Sequence, residues 1–171
     1  MIRKLSATLL LLLTGCVTVP EGIRPVTNFE LERYLGTWYE IARLDHPFER
    51  GLSRVSAHYS LRDDGRVRVI NRGYLEAEER WKEAEGVARF VRQADEGFLK
   101  VSFFGPFYGA YVVFALDQQD YHYALVSGPD RSYLWLLARE PHIDEALRNM
   151  LVARAAAAGF ATDQLIFVAH P

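Results

Sequence analysis

The 171-residue chain holds one cysteine, Cys16. A single thiol excludes a disulfide within the chain, and its place near the N-terminus argues against a thiol nucleophile in the folded body. The chain also lacks a basic excess, with 20 Lys and Arg against 22 Asp and Glu. Arg3 and Lys4 fall in a leader-like segment, and without them 18 basic residues face 22 acidic ones, a net charge of -4. The basic stripe that nucleic-acid backbones require is therefore missing, and no nucleic-acid partner is expected. The apolar stretch over 5–13 is too short to span a bilayer, which needs about 20 helical residues. His46, His58, His122, His142 and His170 include no pair at metal-ligand spacing, so neither a metal nor a cofactor is expected. No glycine-rich phosphate loop precedes a helix, and Ser127-Gly128-Pro129 does not make a nucleophile elbow. Glu83 and Glu85 share a strand face and read as solvated carboxylates. No catalytic residue is assigned, and the chain reads as no enzyme.

What the chain does have is a succession of short strand-like runs. They fall at 36–44, 53–61, 66–75, 80–91, 98–103, 110–116, 121–127 and 132–138. Several alternate apolar with polar residues, as Arg66-Val67-Arg68-Val69 does, which suits a wall with one wet face. Asp63-Asp64-Gly65 and Asp95-Glu96-Gly97 are hairpin signals. A helix is expected over 143–158, with Ile143, Leu147, Leu151 and Val152 on one face and Gly159 as its stop. A short strand at 165–168 follows. The fold expected is all-β, an eight-stranded up-and-down antiparallel barrel with one C-terminal helix packed on the outside and a short final strand.

In such a meander successive turns alternate between the two ends. One end collects the turns at 62–65, 93–97 and 117–120, which are tight and acidic. The other collects 46–52, 76–79, 104–109 and 128–131, which carry Phe48, Phe104, Phe107 and Tyr108. Aromatic residues in loops mark an interaction surface, so the second end is read as the mouth. The segment 104–109 supports two uses, contact with a ligand or contact with a second subunit. Tyr74, Tyr111, Val113 and Trp135 are expected to face the interior. Arg131, with Arg50 and Arg80, is a candidate to meet an acidic headgroup.

The Gly36-x-Trp38 entry to the first strand and Arg139 after the last resemble the lipocalins. The runs 33–45, 46–52, 100–108 and 128–135 extend this to the bacterial lipoprotein branch of that family. The resemblance implies that Gly36, Trp38 and Arg139 close the barrel floor as a structural motif. It also implies a carrier of a hydrophobic ligand, a fatty acid, a lysophospholipid or a related lipid, for which the residues read above as mouth and interior, Phe48, Tyr74, Phe104, Phe107, Tyr108, Tyr111, Val113, Arg131 and Trp135, are the candidate contacts. Leu13-Thr14-Gly15-Cys16 resembles a bacterial lipobox, in which the cysteine becomes the acylated first residue. The expected organisation is thus a lipoprotein signal peptide at 1–15, acylated Cys16 and a tether at 16–27, and a lipocalin domain at 28–171. Val17 stands where lipoproteins retained at the inner membrane carry aspartate, which implies the outer membrane, on its periplasmic face. A homodimer and a purely structural lipoprotein are the alternatives that the aromatic mouth leaves open.

Overall fold

Residues alternate in strand after strand, and the period of two sends one set of side chains inward and the other outward. The structure, a computed structural model, describes residues 17–171. Cys16 and the leader lie outside the described residues. A short helix α1 (Leu31–Tyr34) precedes the strands β1 (Gly36–Arg43), β2 (Leu52–Leu61), β3 (Val67–Leu75), β4 (Arg80–Phe90), β5 (Phe98–Phe104), β6 (Phe107–Leu116), β7 (Tyr123–Ser127) and β8 (Leu134–Ala138). Helix α2 (Glu145–Ala157) and the strand β9 (Ile166–Phe167) complete the chain. Each strand from β1 to β8 pairs antiparallel with the next, and β1 also pairs with β8, so the sheet closes on itself. Tyr39 marks the seam, opposite Ser56 on one side and Ala138 on the other.

A bulge between Glu40 and Ala42 shifts the register of β1 against β8, so that Arg43 lies opposite the inward-facing Trp135. One extra residue in a strand inverts its parity beyond that point, which brings Glu40 and Arg43 to the same side. Above the bulge β2 peels away, and β9 fills the gap by pairing Ala42 with Phe167 and Arg43 with Ile166.

Two apolar layers result. Outward residues Ile41, Phe98, Val112, Leu125 and Leu136 pack under Leu151 and Ala155 of α2. Inward residues Trp38, Tyr59, Val113, Leu116 and Val126 join Phe29 and Tyr34 in a plug at the floor. Helix α2 begins at Asp144, whose carboxylate accepts from the Leu147 amide at 2.8 Å, and this cap sets the start later than 143.

Two expectations need correction, and one element was not foreseen. The connection 104–109 is a tight hairpin at Gly105-Pro106, because β5 and β6 run on until Phe104 pairs with Phe107. The segment 17–27 is no free tether. Ile23 is buried, the Val26 amide donates to the Val113 carbonyl at 2.8 Å, and Thr27 bridges to Glu96. Its valines and isoleucine give it an apolar side to bury, which outweighs the loosening effect of Pro20 and Gly22. Finally, α1 lacks a recognisable cap and is one turn long, so no periodicity announces it.

Candidate binding site

The floor is built first, because it decides how deep the interior runs. The Trp38 indole donates to the Tyr34 carbonyl at 2.8 Å. The Arg139 guanidinium lies 4.0 Å over the Trp38 ring and donates to the carbonyls of Thr37 at 2.9 Å and Arg33 at 2.6 Å. Gly36 has φ of 94°, and a side chain there would stand 3.4 Å from Arg139 Nη1. The left-handed backbone favours glycine at this position.

Above the floor lies an inner chamber of about 110 Å³. Tyr34, Tyr59 and Tyr111 surround its lower part, and the Tyr111 hydroxyl lies 2.8 Å from that of Tyr34 and 2.9 Å from that of Tyr59. Burial pushes all three phenols above their ordinary value, so each keeps its proton at neutral pH. Val55, Val67, Val69, Ala88, Leu99 and Leu137 supply the apolar remainder of the wall.

The inner chamber opens into an outer one of about 520 Å³. Phe48, Phe104, Phe107, Tyr108, Tyr133 and Trp135 line it, with Arg72 and Lys82 among the polar residues. Phe48, Phe104 and Phe107 are 72%, 72% and 78% exposed and form an apolar rim.

A buried charge cluster fixes the loop at 44–51 to this wall. Arg43 Nη1 donates to Glu40 Oε1 at 2.7 Å, while Nη2 donates to the carbonyls of Glu49 at 2.8 Å and Leu52 at 3.2 Å. Trp135 Nε1 donates to Glu49 Oε2 at 3.0 Å, and His46 Nε2 lies 2.8 Å from the same oxygen. Burial, reinforced by Glu49, holds the Glu40 carboxyl well above its ordinary value. Burial would raise Glu49 too, but the contacts from His46, Trp135 and Glu40 outweigh it and leave this carboxyl below its ordinary value. Burial and neighbours thus push the two carboxyl groups in opposite directions, Glu40 up and Glu49 down, around the one guanidinium of Arg43.

The structure places the expected ligand residues unevenly. Phe48, Phe104, Phe107, Tyr108 and Trp135 line the outer chamber, Trp135 reaches both, and Tyr111 lines the inner one. Tyr74 does not face the interior. It lies opposite Trp81 on the outer face, edge-on at 5.4 Å between centroids, with the Arg54 guanidinium 4.6 Å over its ring. Val113 points inward but is consumed by the floor plug. Arg131 turns away from the mouth, donating to the carbonyls of Ala158 at 3.0 Å and Glu21 at 2.5 Å. Arg50 is engaged by Asp45 at 2.7 Å and Arg80 by Glu78, so the three arginines proposed for a headgroup already have partners.

Glu40, Arg43, Glu49, Asn71, Tyr34 and Tyr59 were not anticipated. Inward parity from Trp38 was signal enough for Glu40, whereas the bulge hid Arg43. Among the described residues, Asp117, Asp120 and His122 bring potential metal-ligand atoms within 4.8 Å of one another. The Asp117 carboxylate accepts from the amides of Gln119, Asp120 and His122, the ordinary work of a turn.

Comparison with known proteins agrees with this geometry. Residues 29–170 match the family model described as a lipocalin-like domain. The chain is 55% identical to the outer membrane lipoprotein Blc of Vibrio cholerae serotype O1, over 92% of each chain. It is 51% identical to the outer membrane lipoprotein Blc of Escherichia coli strain K12, covering 97% of this chain and 94% of that one. Among solved structures, insecticyanin from the tobacco hornworm Manduca sexta superposes with a TM-score of 0.71 at 19% identity, covering 90% of this chain and 87% of that one. That likeness concerns the fold alone.

Proposed function

The chain belongs to the lipocalin family, and from that premise we propose that it binds a hydrophobic single-chain small molecule, a fatty acid, lysophospholipid or related lipid, and stores or carries it without chemical change. The observation that carries this reading is the pair of adjoining chambers inside a closed barrel, walled by apolar side chains and open at one aromatic rim. Apolar burial supplies the affinity, at about 0.8 kcal/mol per methylene. Association costs of roughly 4 to 15 kcal/mol offset much of it, so shape and polar contacts decide which lipid is held.

Cys16 is the site of acylation in this reading, and the protein sits at the outer membrane on its periplasmic face. The relatives are outer membrane lipoproteins by name, which supports the membrane, and the sequence around Cys16 supports the anchor. One acyl chain alone holds a protein only reversibly, whereas several hold it stably. Displacement of a fluorescent lysophospholipid by unlabelled competitor tests the carrier function. Saturable uptake with one site per chain is expected, and uptake that neither saturates nor yields to competitor would refute it.

A second reading rests on the rim. Phe48, Phe104 and Phe107 together present apolar area of the kind that marks interaction surfaces, and a second copy of this chain is one partner that fits. Sedimentation of ligand-free protein distinguishes the two: a dimer abolished by Phe107→Ser favours the contact role, and a monomer leaves the rim to the ligand.

A further inference from the structure

Seven residues border both chambers and form the neck between them. Val55, Val101, Phe103 and Ala110 are apolar, Trp135 spends its one polar atom on Glu49 Oε2, and His46 approaches the same Glu49 oxygen. Asn71 is the remaining one. It lies on β3 opposite Ala57 and Ala84, on the inward parity of Val67, Val69 and Gly73. Among the described residues its side-chain amide has no hydrogen-bond partner, although it can donate twice and accept.

The tyrosine relay below shows a second unmet demand. Three hydroxyls carry three protons, but only two O···O links join them. One O–H therefore has no acceptor among the described side chains, and it belongs to a ring that lines the inner chamber. A saturated hydrocarbon filling this space would displace any water there and leave both groups unpaired. Such a loss costs affinity, whereas a ligand oxygen in the same place restores the bonds.

The geometry points to an inner chamber that selects lipids bearing oxygen on the part of the chain that enters it, a hydroxylated or keto acyl chain, with Asn71 as the recognising residue. This rests on the carrier function proposed above and names the ligand more narrowly. The volume sets the orientation. About 110 Å³ is room for a few carbon atoms and one oxygen but not for a phosphocholine group, so a lysophospholipid enters tail first and the end of its chain lies in the chamber that Asn71 borders at the neck and the tyrosines border below.

Native mass spectrometry of the acylated full chain, in mild detergent with equal amounts of palmitoyl and 16-hydroxypalmitoyl lysophosphatidylcholine, tests the idea. The two adducts differ by one oxygen atom, and comparing native protein with Asn71→Leu cancels their unequal partition into detergent. The native adduct ratio should favour the hydroxylated lipid over that of the variant by about fivefold, the worth of one net hydrogen bond. Asn71→Val serves as a second replacement, and matching melting curves show that the barrel is intact. Equal ratios in native and variant protein would overturn the proposal, as would a smaller ratio in native protein. Native protein that retains neither lipid would overturn the carrier function itself, and the selectivity with it.

Discussion

The guanidinium of Arg139 covers the indole of Trp38 at 4.0 Å, and the two join the exit of the last barrel strand to the entry of the first. Three backbone carbonyls, those of Tyr121, Thr37 and Arg33, accept from the same side chain. A cation over an indole contributes about 0.5 to 2 kcal/mol, and each hydrogen bond about 1 kcal/mol. Arg139→Ala should therefore melt roughly 5 to 10 °C below the native protein. Ligand affinity at low temperature should be retained, since no part of Arg139 lines either chamber. Unchanged melting with lost affinity would contradict a structural role.

Arg131 links the end of α2 to the N-terminal segment through the carbonyls of Ala158 and Glu21. Arg131→Ala should leave lysophospholipid affinity unaltered while lowering the melting temperature by about 2 to 4 °C. Amide exchange should quicken around Ile23, where the segment is now held against the wall. A drop in affinity instead would return Arg131 to the mouth.

Glu40 and Glu49 respond to pH in opposite senses. The unfolded chain ionises Glu40 near its ordinary value of about 4.3, whereas the folded protein keeps that proton to higher pH. The stability this group contributes is whole below the unfolded value and is lost as pH rises through the folded one. Glu49 is the reverse: its contribution is present above the unfolded value and disappears as pH falls through its lowered folded value. Glu40→Gln mimics the protonated acid and removes only the first effect. In urea titrations the variant should gain stability relative to native protein as pH climbs from about 5 to about 8. A gap that stays constant over this range would show that Glu40 is ionised in the fold.

Tyr111 is the central hydroxyl of the relay, and Tyr111→Phe deprives both Tyr34 and Tyr59 of their partner. An unpaired buried hydroxyl costs about 1 to 3 kcal/mol. Tyr59→Phe leaves the link between Tyr34 and Tyr111 intact, so it should cost less. Chemical denaturation of the two variants side by side checks the order.

The barrel was legible in the sequence because its evidence is local: Asp63-Asp64-Gly65 turns, Val67 and Val69 alternate, and Gly36, Trp38 and Arg139 stand where the lipocalin pattern has them. The rim was legible too, since the meander rule alone brings Phe48, Phe104 and Phe107 to one end. Tyr74 was misread because parity near a strand end depends on a register that only its pairing with Trp81 reveals. Arg43 was missed because a bulge inverted the parity of β1, and Asn71 because a polar residue in a strand reads as part of the wet face, although Val67 and Val69 share its parity. Arg131 was misplaced because its partners, Glu21 and Ala158, lie 110 and 27 residues away.

Blocking the neck tests the central claim most directly. Val101 faces inward where the chambers meet, and Val101→Trp fills that passage while leaving the rim and the floor untouched. Competitive titration with a fluorescent lysophospholipid should show one saturable site in native protein and at least about a tenfold loss of affinity in the variant. Equal affinity in both proteins would mean that the lipid is held without passing the neck into the inner chamber.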